Sequence, residues 1–147
     1  MNPQLRASAI TLARIIAAIR MAVLGNKERR DLMRVEKAKK HYLDRTGPKK
    51  MNCCESVVYA FQDEIPLSEE ELQKCAGFGG GQAPEGYCGA IYAAKRLLEV
   101  SGSEKAVSLQ EIFKEIAGSA KCREIKAIKK ISCLECVTKA AEIVEGR

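Results

Sequence analysis

The sequence predicts an all-α fold: a single compact helical domain with an N-terminal basic helical arm or hairpin. Three observations carry that expectation. No segment alternates apolar and polar residues with period two for long enough to read as a strand. With three Phe, four Tyr and no Trp in 147 residues, the core must be built mainly from Ala, Val, Ile and Leu, which suit close helix packing. Apolar positions recur at spacings of three and four, and helix-capping residues stand at the breaks. A chain of this length with 46% hydrophobic residues has the size and composition of one domain with a core of its own.

Residues 3 to 24 open with Pro3, favourable in a first helical turn. They place Leu5, Ala9, Leu12, Ile16, Ile19 and Val23 along a heptad seam. Arg14 and Arg20 interrupt the segment and no small-residue cleavage site follows, so it reads as part of the mature fold and not as a signal or a membrane span. Gly25 and Asn26 end it. "KERRDLMRVEKAKKHYLDR" then reads as a second, highly charged helix with Leu32, Val35 and Tyr42 as sparse apolar contacts. A helix so polar has little to bury, and the expected partner of the first helix is a second subunit, giving a homodimer through the N-terminal helix. Residues 1–50 are thus expected to form a basic helical arm, and residues 51–147 a cysteine-rich helical domain folded as one unit with it.

After "TGPKKM" at 46–51, Asn52 is the N-cap of a third helix reaching about Gln62, with Glu55 completing a capping box. Ser68 and Glu71 mark a short fourth helix in the same way. The glycine-rich "GFGGGQAPEGYCG" separates it from a fifth helix, "AIYAAKRLLEV", made narrow by alanines. Ser108 and Glu111 read as a capping box for the sixth helix. Ser119 reads as the N-cap of the seventh, placing Cys122 at its third position, and Ser132 with Glu135 as the start of the eighth.

The formal charge of +6 is uneven. Residues 1–50 hold thirteen Lys/Arg and four Asp/Glu, a net of +9, and the remainder twelve and fifteen, a net of −3. Such asymmetry marks some nucleic-acid-binding arms, but no aromatic interleaving or base-reading motif accompanies it, so nucleic acid is not the expected partner and the charge reads as the solvated face of two helices. No Ser/His/Asp constellation, phosphate loop or paired-carboxylate site stands out. The single histidine, His41, reads as a surface residue.

Seven cysteines, an odd number, without a secretory signal point to a reducing, cytoplasmic setting, where cysteine clusters more often mean metal binding or redox work than structural disulfides. Four of them sit at helix starts: Cys53 after Asn52, Cys88 after Pro84 and Gly86, Cys122 after Ser119, and Cys133 after Ser132. Helix N-termini carry unpaired N–H groups and about half a positive charge, which favour thiolate, the form that binds metal and attacks disulfides. Ends converging on one spot would supply sulfur ligands with N–H donors around them, and Gly77, Gly79, Gly80 and Gly81 would let backbone pass close by. The alternative for each cysteine is an ordinary small hydrophobe of the core. Cys133 falls on the inward stripe of its helix with Leu134, Val137, Ala140 and Val144, and Cys136 lies at the edge of that stripe. "CLEC" is a lone C-x-x-C, a weak zinc signal, and no His follows it to attach a c-type haem.

Four signatures, "NCCES", "GFGGG…YCGA", "AKCREI" and "CLECVTKAAEIV", together resemble the family of redox-active proteins known as C-GCAxxG-C-C. The resemblance covers roughly residues 38 to 145. It implies a cysteine-rich redox domain and carries the family cysteines onto Cys53, Cys88, Cys122 and Cys133, leaving Cys54, Cys75 and Cys136 as extras of this chain. The family's glycine shortly after C-G-A is Ala93 here. A related domain occurs in split-Soret cytochromes, where an iron–sulfur centre is associated with it; this chain lacks the haem-attachment motif, so haem is not implied.

Three functions follow as expectations. In the first, Cys53, Cys88, Cys122 and Cys133 bind an iron–sulfur cluster, most simply 2Fe–2S, beside Gly79, Gly80 and Gly81, and pass electrons to a partner protein; a zinc site with the same four cysteine ligands is the colourless variant. In the second, no metal is held and low-pKa thiolates cycle through disulfides such as Cys53 with Cys88 or Cys122 with Cys133, with Cys53 and Cys88 as the catalytic pair and Cys54 and Cys75 as resolving thiols. In the third, the chain is a non-enzymatic interaction module whose basic arm binds an acidic partner or nucleic acid, and the cysteines only pack.

Overall fold

The computed structural model describes residues 3–44, 46, 47 and 50–147, with side chains from residue 12 onward. Among the described residues the chain is all-α. Its helices are α1 (Pro3–Val23), α2 (Asn26–Leu43), α3 (Cys53–Phe61), α4 (Glu69–Ala76), α5 (Gly89–Val100), α6 (Lys105–Ala117), α7 (Cys122–Ile128) and α8 (Cys133–Glu145), with a 3-10 turn at Pro84–Gly86. No strand is formed among these residues, and none of their helices is long and apolar enough to cross a membrane. An isolated antiparallel bridge joins Tyr87 and Lys121. The chain divides into two compact units, Met1–Met33 and Arg34–Arg147.

In the first unit α1 begins at Pro3, as its fixed φ favours. The chain turns at Gly25, whose N–H donates to the Glu28 carboxylate at 2.7 Å. The Arg29 guanidinium donates to the Ala22 carbonyl at 2.9 Å. An acid at the start of α2 and a base at the end of α1 both complement the helix dipoles. Of the seam positions, Leu12, Ile16, Ile19 and Val23 are exposed, while the Leu5 and Ala9 side chains lie outside the described residues.

The second unit holds the core. Helix α5 lies at its centre, packed on α3, α8 and α6, and α3 also packs on α4 and α8. Small side chains allow that density: Gly89, Ala90, Ala93 and Ala94 of α5 are buried with Ile91, Leu97 and Leu98. They meet Val57, Val58 and Phe61 of α3 and Val137, Ala140, Ala141 and Val144 of α8. The second half of α2 buries more than its charge suggests. Val35 and Ala38 are core residues, and Arg34 holds Glu64 at 2.8 Å, Asp63 at 3.4 Å and Glu145 at 3.7 Å. Leu32 is exposed. His41 is half-buried instead of a surface residue, and burial with the charges of Lys37 and Lys40 lowers its pKa.

Three local readings of the sequence are corrected. Helix α6 starts at Lys105, so Ser108 lies inside it and donates to the Lys105 carbonyl at 3.4 Å; the N-cap is Glu104, and the hydroxyl of Ser103 just before it accepts the Lys105 N–H at 3.3 Å. A capping side chain needs a non-helical backbone, and Ser108 has none. Helix α7 starts at Cys122, not near Ser119, because the backbone at 120–121 is drawn into pairing with residues 87–88 and Lys121 is extended. On α8 the inward face is Cys136, Val137, Ala140, Ala141 and Val144, with Cys133 half-buried. The roles read for the two cysteines are thereby exchanged, because the first turn of α8 opens onto a cavity and its second turn meets α5.

Candidate functional site

The four thiols at helix starts hold those positions: Cys53, Cys122 and Cys133 are the first residues of α3, α7 and α8, and Cys88 is the N-cap of α5. Each start has a local cause. Asn52 caps α3 with a complete capping box, its Oδ1 accepting the Glu55 N–H at 2.9 Å and the Glu55 carboxylate accepting the Asn52 N–H at 3.0 Å. The same side chain donates Nδ2–H to the carbonyls of Cys75 at 2.9 Å and Ala76 at 3.0 Å, tying the end of α4 to the start of α3. The Cys88 N–H donates to the Ala120 carbonyl at 3.0 Å, which sets the start of α5 beside the start of α7. Ser132 Oγ accepts the Glu135 N–H at 3.1 Å and opens α8.

Glycines then bring these ends together. A Cβ at Gly89 would stand 2.7 Å from Cys53 Sγ and 2.7 Å from the Phe78 carbonyl oxygen, so the approach of α3 to α5 requires glycine there. The loop after α4 folds back over the site: a Cβ at Gly79 would meet Asn52 Cβ at 2.8 Å, and Gly81, at φ +85°, sits 3.4 Å from Cys122 Cβ by the same construction. Gly80, at φ +63°, is open to space and serves the turn. Ala93 is buried one turn beyond Gly89 and does not line the cavity.

The result is a cavity of about 360 Å³ whose wall includes Cys53, Cys88, Cys122 and Cys133 together with Asn52, Gly79 and Gly80, and at whose rim stand Tyr42, Lys50, Met51 and Lys126. The four thiols spread around the cavity instead of meeting at a point: among the described residues no group of three or more His, Cys, Asp or Glu side chains is drawn together tightly enough to hold a metal ion. All seven cysteines are free.

The thiols form two contacting sets. Cys53 neighbours Cys88, and Cys88 neighbours Cys136. Separately, Cys54 neighbours Cys75, and both are sealed in the core between α3 and α4. At Cys53, Cys88 and Cys122 the expectation that helix ends favour thiolate is overturned. The Cys53 pKa is raised, first by its hydrogen bond to Cys88 and then by burial, against the N–H groups of Ala90 and Cys54. Cys88 is pushed up to about 12 by its hydrogen bond to Cys136 and by burial, with the Cys53 hydrogen bond and the Ile91 N–H acting in the opposite direction. Burial raises Cys122, opposed by the charge and hydrogen bond of Lys126 and assisted by Cys133 and Cys53. Cys54 is raised by its bond to Cys75, and the same bond lowers Cys75. A helix terminus contributes about 1 kcal/mol, less than burial of a thiolate against a second thiol costs. A bound cation inverts this order.

A pH dependence follows. A folded chain that keeps the Cys88 proton to about 12, where the ordinary thiol releases it near 9.0, is at full stability below pH 9 and loses stability as pH rises from 9 toward 12. The metal-free protein is therefore expected to show a urea midpoint that falls across that interval, and Cys88→Ala a shallower fall.

Sequence reasoning missed Gly89, Tyr42, Lys50 and Lys126. Lys126 was the most accessible of these, since it lies one turn after Cys122 and so shares its face of α7. Gly89 is the glycine of "YCGA", but the sequence does not reveal that Cys53 occupies the space its missing side chain leaves.

The sequence model of the family described as "Putative redox-active protein (C_GCAxxG_C_C)" matches residues 51–146. No curated protein and no solved structure matches the chain.

Proposed function

The chain belongs to the C_GCAxxG_C_C family of redox-active proteins, and from that premise we propose that its four-thiol cavity holds an iron–sulfur cluster, 2Fe–2S being the simplest, for electron transfer. The observation that carries the reading is that Cys53, Cys88, Cys122 and Cys133, from four different helix starts, line the same cavity. The donor chemistry fits such a group. Four sulfurs are the ligand set of a 2Fe–2S centre, and the N–H groups of Ala90, Cys54 and Ile91 face the sulfurs of Cys53 and Cys88. Lys50 and Lys126 at the rim offset the negative charge of metal-bound thiolates. The raised pKa values of Cys53, Cys88 and Cys122 argue against a standing pool of reactive thiolates there, since a thiol that keeps its proton at neutral pH attacks a disulfide slowly. A cluster bound there supplies one-electron transfer; zinc, with the same ligands, supplies none.

A second reading rests on the contact between Cys53 and Cys88, which suits a disulfide between them in a metal-free thiol cycle. One sample separates the two. Protein purified without oxygen is expected to be coloured, with stoichiometric iron and acid-labile sulfide and absorbance that bleaches on reduction. Serine at Cys53, Cys88, Cys122 or Cys133 is expected to lower iron retention at least tenfold, while Cys136→Ala keeps the metal. Stoichiometric zinc without colour would leave the ligand set standing and remove electron transfer. Colourless, metal-free protein that gains a Cys53–Cys88 disulfide on oxidation would replace the cluster with the thiol cycle.

A further inference from the structure

Cys54 and Cys75 have no part in the cavity. Neither lines it, and they are 0% and 1% exposed in the core. Cys54 is in the first turn of α3 and Cys75 in the last turn of α4. The two helices pack together, and each thiol affects the other's ionisation. The backbones are fastened beside them, since Asn52 Nδ2 donates to the carbonyl of Cys75 itself at 2.9 Å. Two buried neighbouring thiols on packed helices, with the backbone on one side tied to the cap on the other, have part of the ordering that a disulfide requires.

We infer that Cys54 and Cys75 are a second redox site, a two-electron dithiol–disulfide couple separate from the cavity, whose oxidant is a small disulfide. The reaction balances as an exchange. Cys75 attacks the small disulfide, forming a mixed disulfide and releasing one thiol. Cys54 then attacks the Cys75 sulfur, forming the Cys54–Cys75 bond and releasing the second thiol. Two protein thiols are oxidised, one small disulfide is reduced to two thiols, and the two protons pass to the leaving thiolates. Access requires local opening of α4, which has eight residues. The bond would fasten the end of α4 to the first turn of α3 beside Asn52, and so stiffen the wall of the cavity. The inference is independent of what the cavity holds.

The test is disulfide mapping of the full chain after exposure to oxidised glutathione, acid quenching, alkylation and trypsin digestion. Cys53 and Cys54 share the tryptic peptide 51–74, and Cys75 and Cys88 share the peptide 75–95. A link between these peptides is therefore ambiguous until fragmentation of the wild-type pair assigns the bonded sulfurs, and that assignment needs no variant to fold. The expected result is a bond between Cys54 and Cys75 with loss of two alkylatable thiols, kept in Cys53→Ala and lost in both Cys54→Ala and Cys75→Ala. A link that fragments as Cys53–Cys88, is lost in Cys53→Ala and survives the other two variants would overturn the inference. So would seven thiols still open to alkylation after denaturation, or glutathione adducts with no internal bond. Iron and sulfide content, which test the cavity, do not enter the result.

Discussion

Gly89→Ala is expected to destabilise the fold by about 3 kcal/mol, the upper part of the range for overpacking a core. The added methyl would stand 2.7 Å from a sulfur and 2.7 Å from a backbone carbonyl oxygen, and 3.2 Å from Cys54 Cβ. Rotation of the Cys53 side chain relieves the first contact only. The Phe78 carbonyl belongs to the loop that covers Asn52 and Cys122, and its ring packs edge-on against Tyr92 at 4.8 Å between centroids, so it cannot withdraw without disturbing both. Alanine is the better helix former by about 1 kcal/mol in a helix interior, a gain too small to offset the clash. Gly77→Ala is the matched control: its nearest neighbour would be a carbonyl at 3.6 Å, an ordinary contact, and its effect is expected to stay within about 0.5 kcal/mol. Urea unfolding of both variants checks the pair. Equal midpoints would show that α3 and α5 separate freely at Gly89.

Asn52→Ala is expected to cost about 3 kcal/mol, because one side chain makes three bonds at a partly buried junction. Oδ1 caps α3, and Nδ2–H serves two carbonyls at the end of α4. The substitutions that share only one of these roles separate them. Serine restores the cap and is expected to recover about 1 kcal/mol. Aspartate is as good an N-cap as asparagine, yet it would set a carboxylate oxygen against the carbonyls of Cys75 and Ala76, so it is expected to be no more stable than alanine. If aspartate matched wild type in urea unfolding, the tie between α3 and α4 would contribute nothing. Because Asn52 also lines the cavity, the same variants report on the site, and in the proposed metal-bound form loss of the cap is expected to weaken metal retention with Cys53 still present.

The difference between these residues shows what could be read in advance. The Asn52 cap was legible because a capping box lies within four consecutive residues and obeys local backbone geometry. Its tie to α4 was not, since Cys75 is 23 positions away. The thiols at four helix starts were legible for the same local reason. The ionisation of Cys53 and Cys88 was misread because a helix end is a local property, while the sulfur placed against each of these two comes from another helix. Ser108 and Ser119 show the limit of capping patterns: both match a start signal, but a turn at Ser103 and the pairing of Tyr87 with Lys121 set the actual starts.

By itself the sequence determined the all-α class, the order of the helices, the glycine-rich break and the family to which residues 51–146 belong, since these depend on apolar periodicity, caps and short motifs. Only the tertiary structure decided that Cys53, Cys88, Cys122 and Cys133 share a cavity while Cys54 and Cys75 lie in the core outside it. Adjacent residues in the first turn of a helix point about 100° apart, and what each one meets is settled by the neighbouring helices. Gly89 admits Cys53 to the start of α5, and Asn52 brings the end of α4 to Cys54.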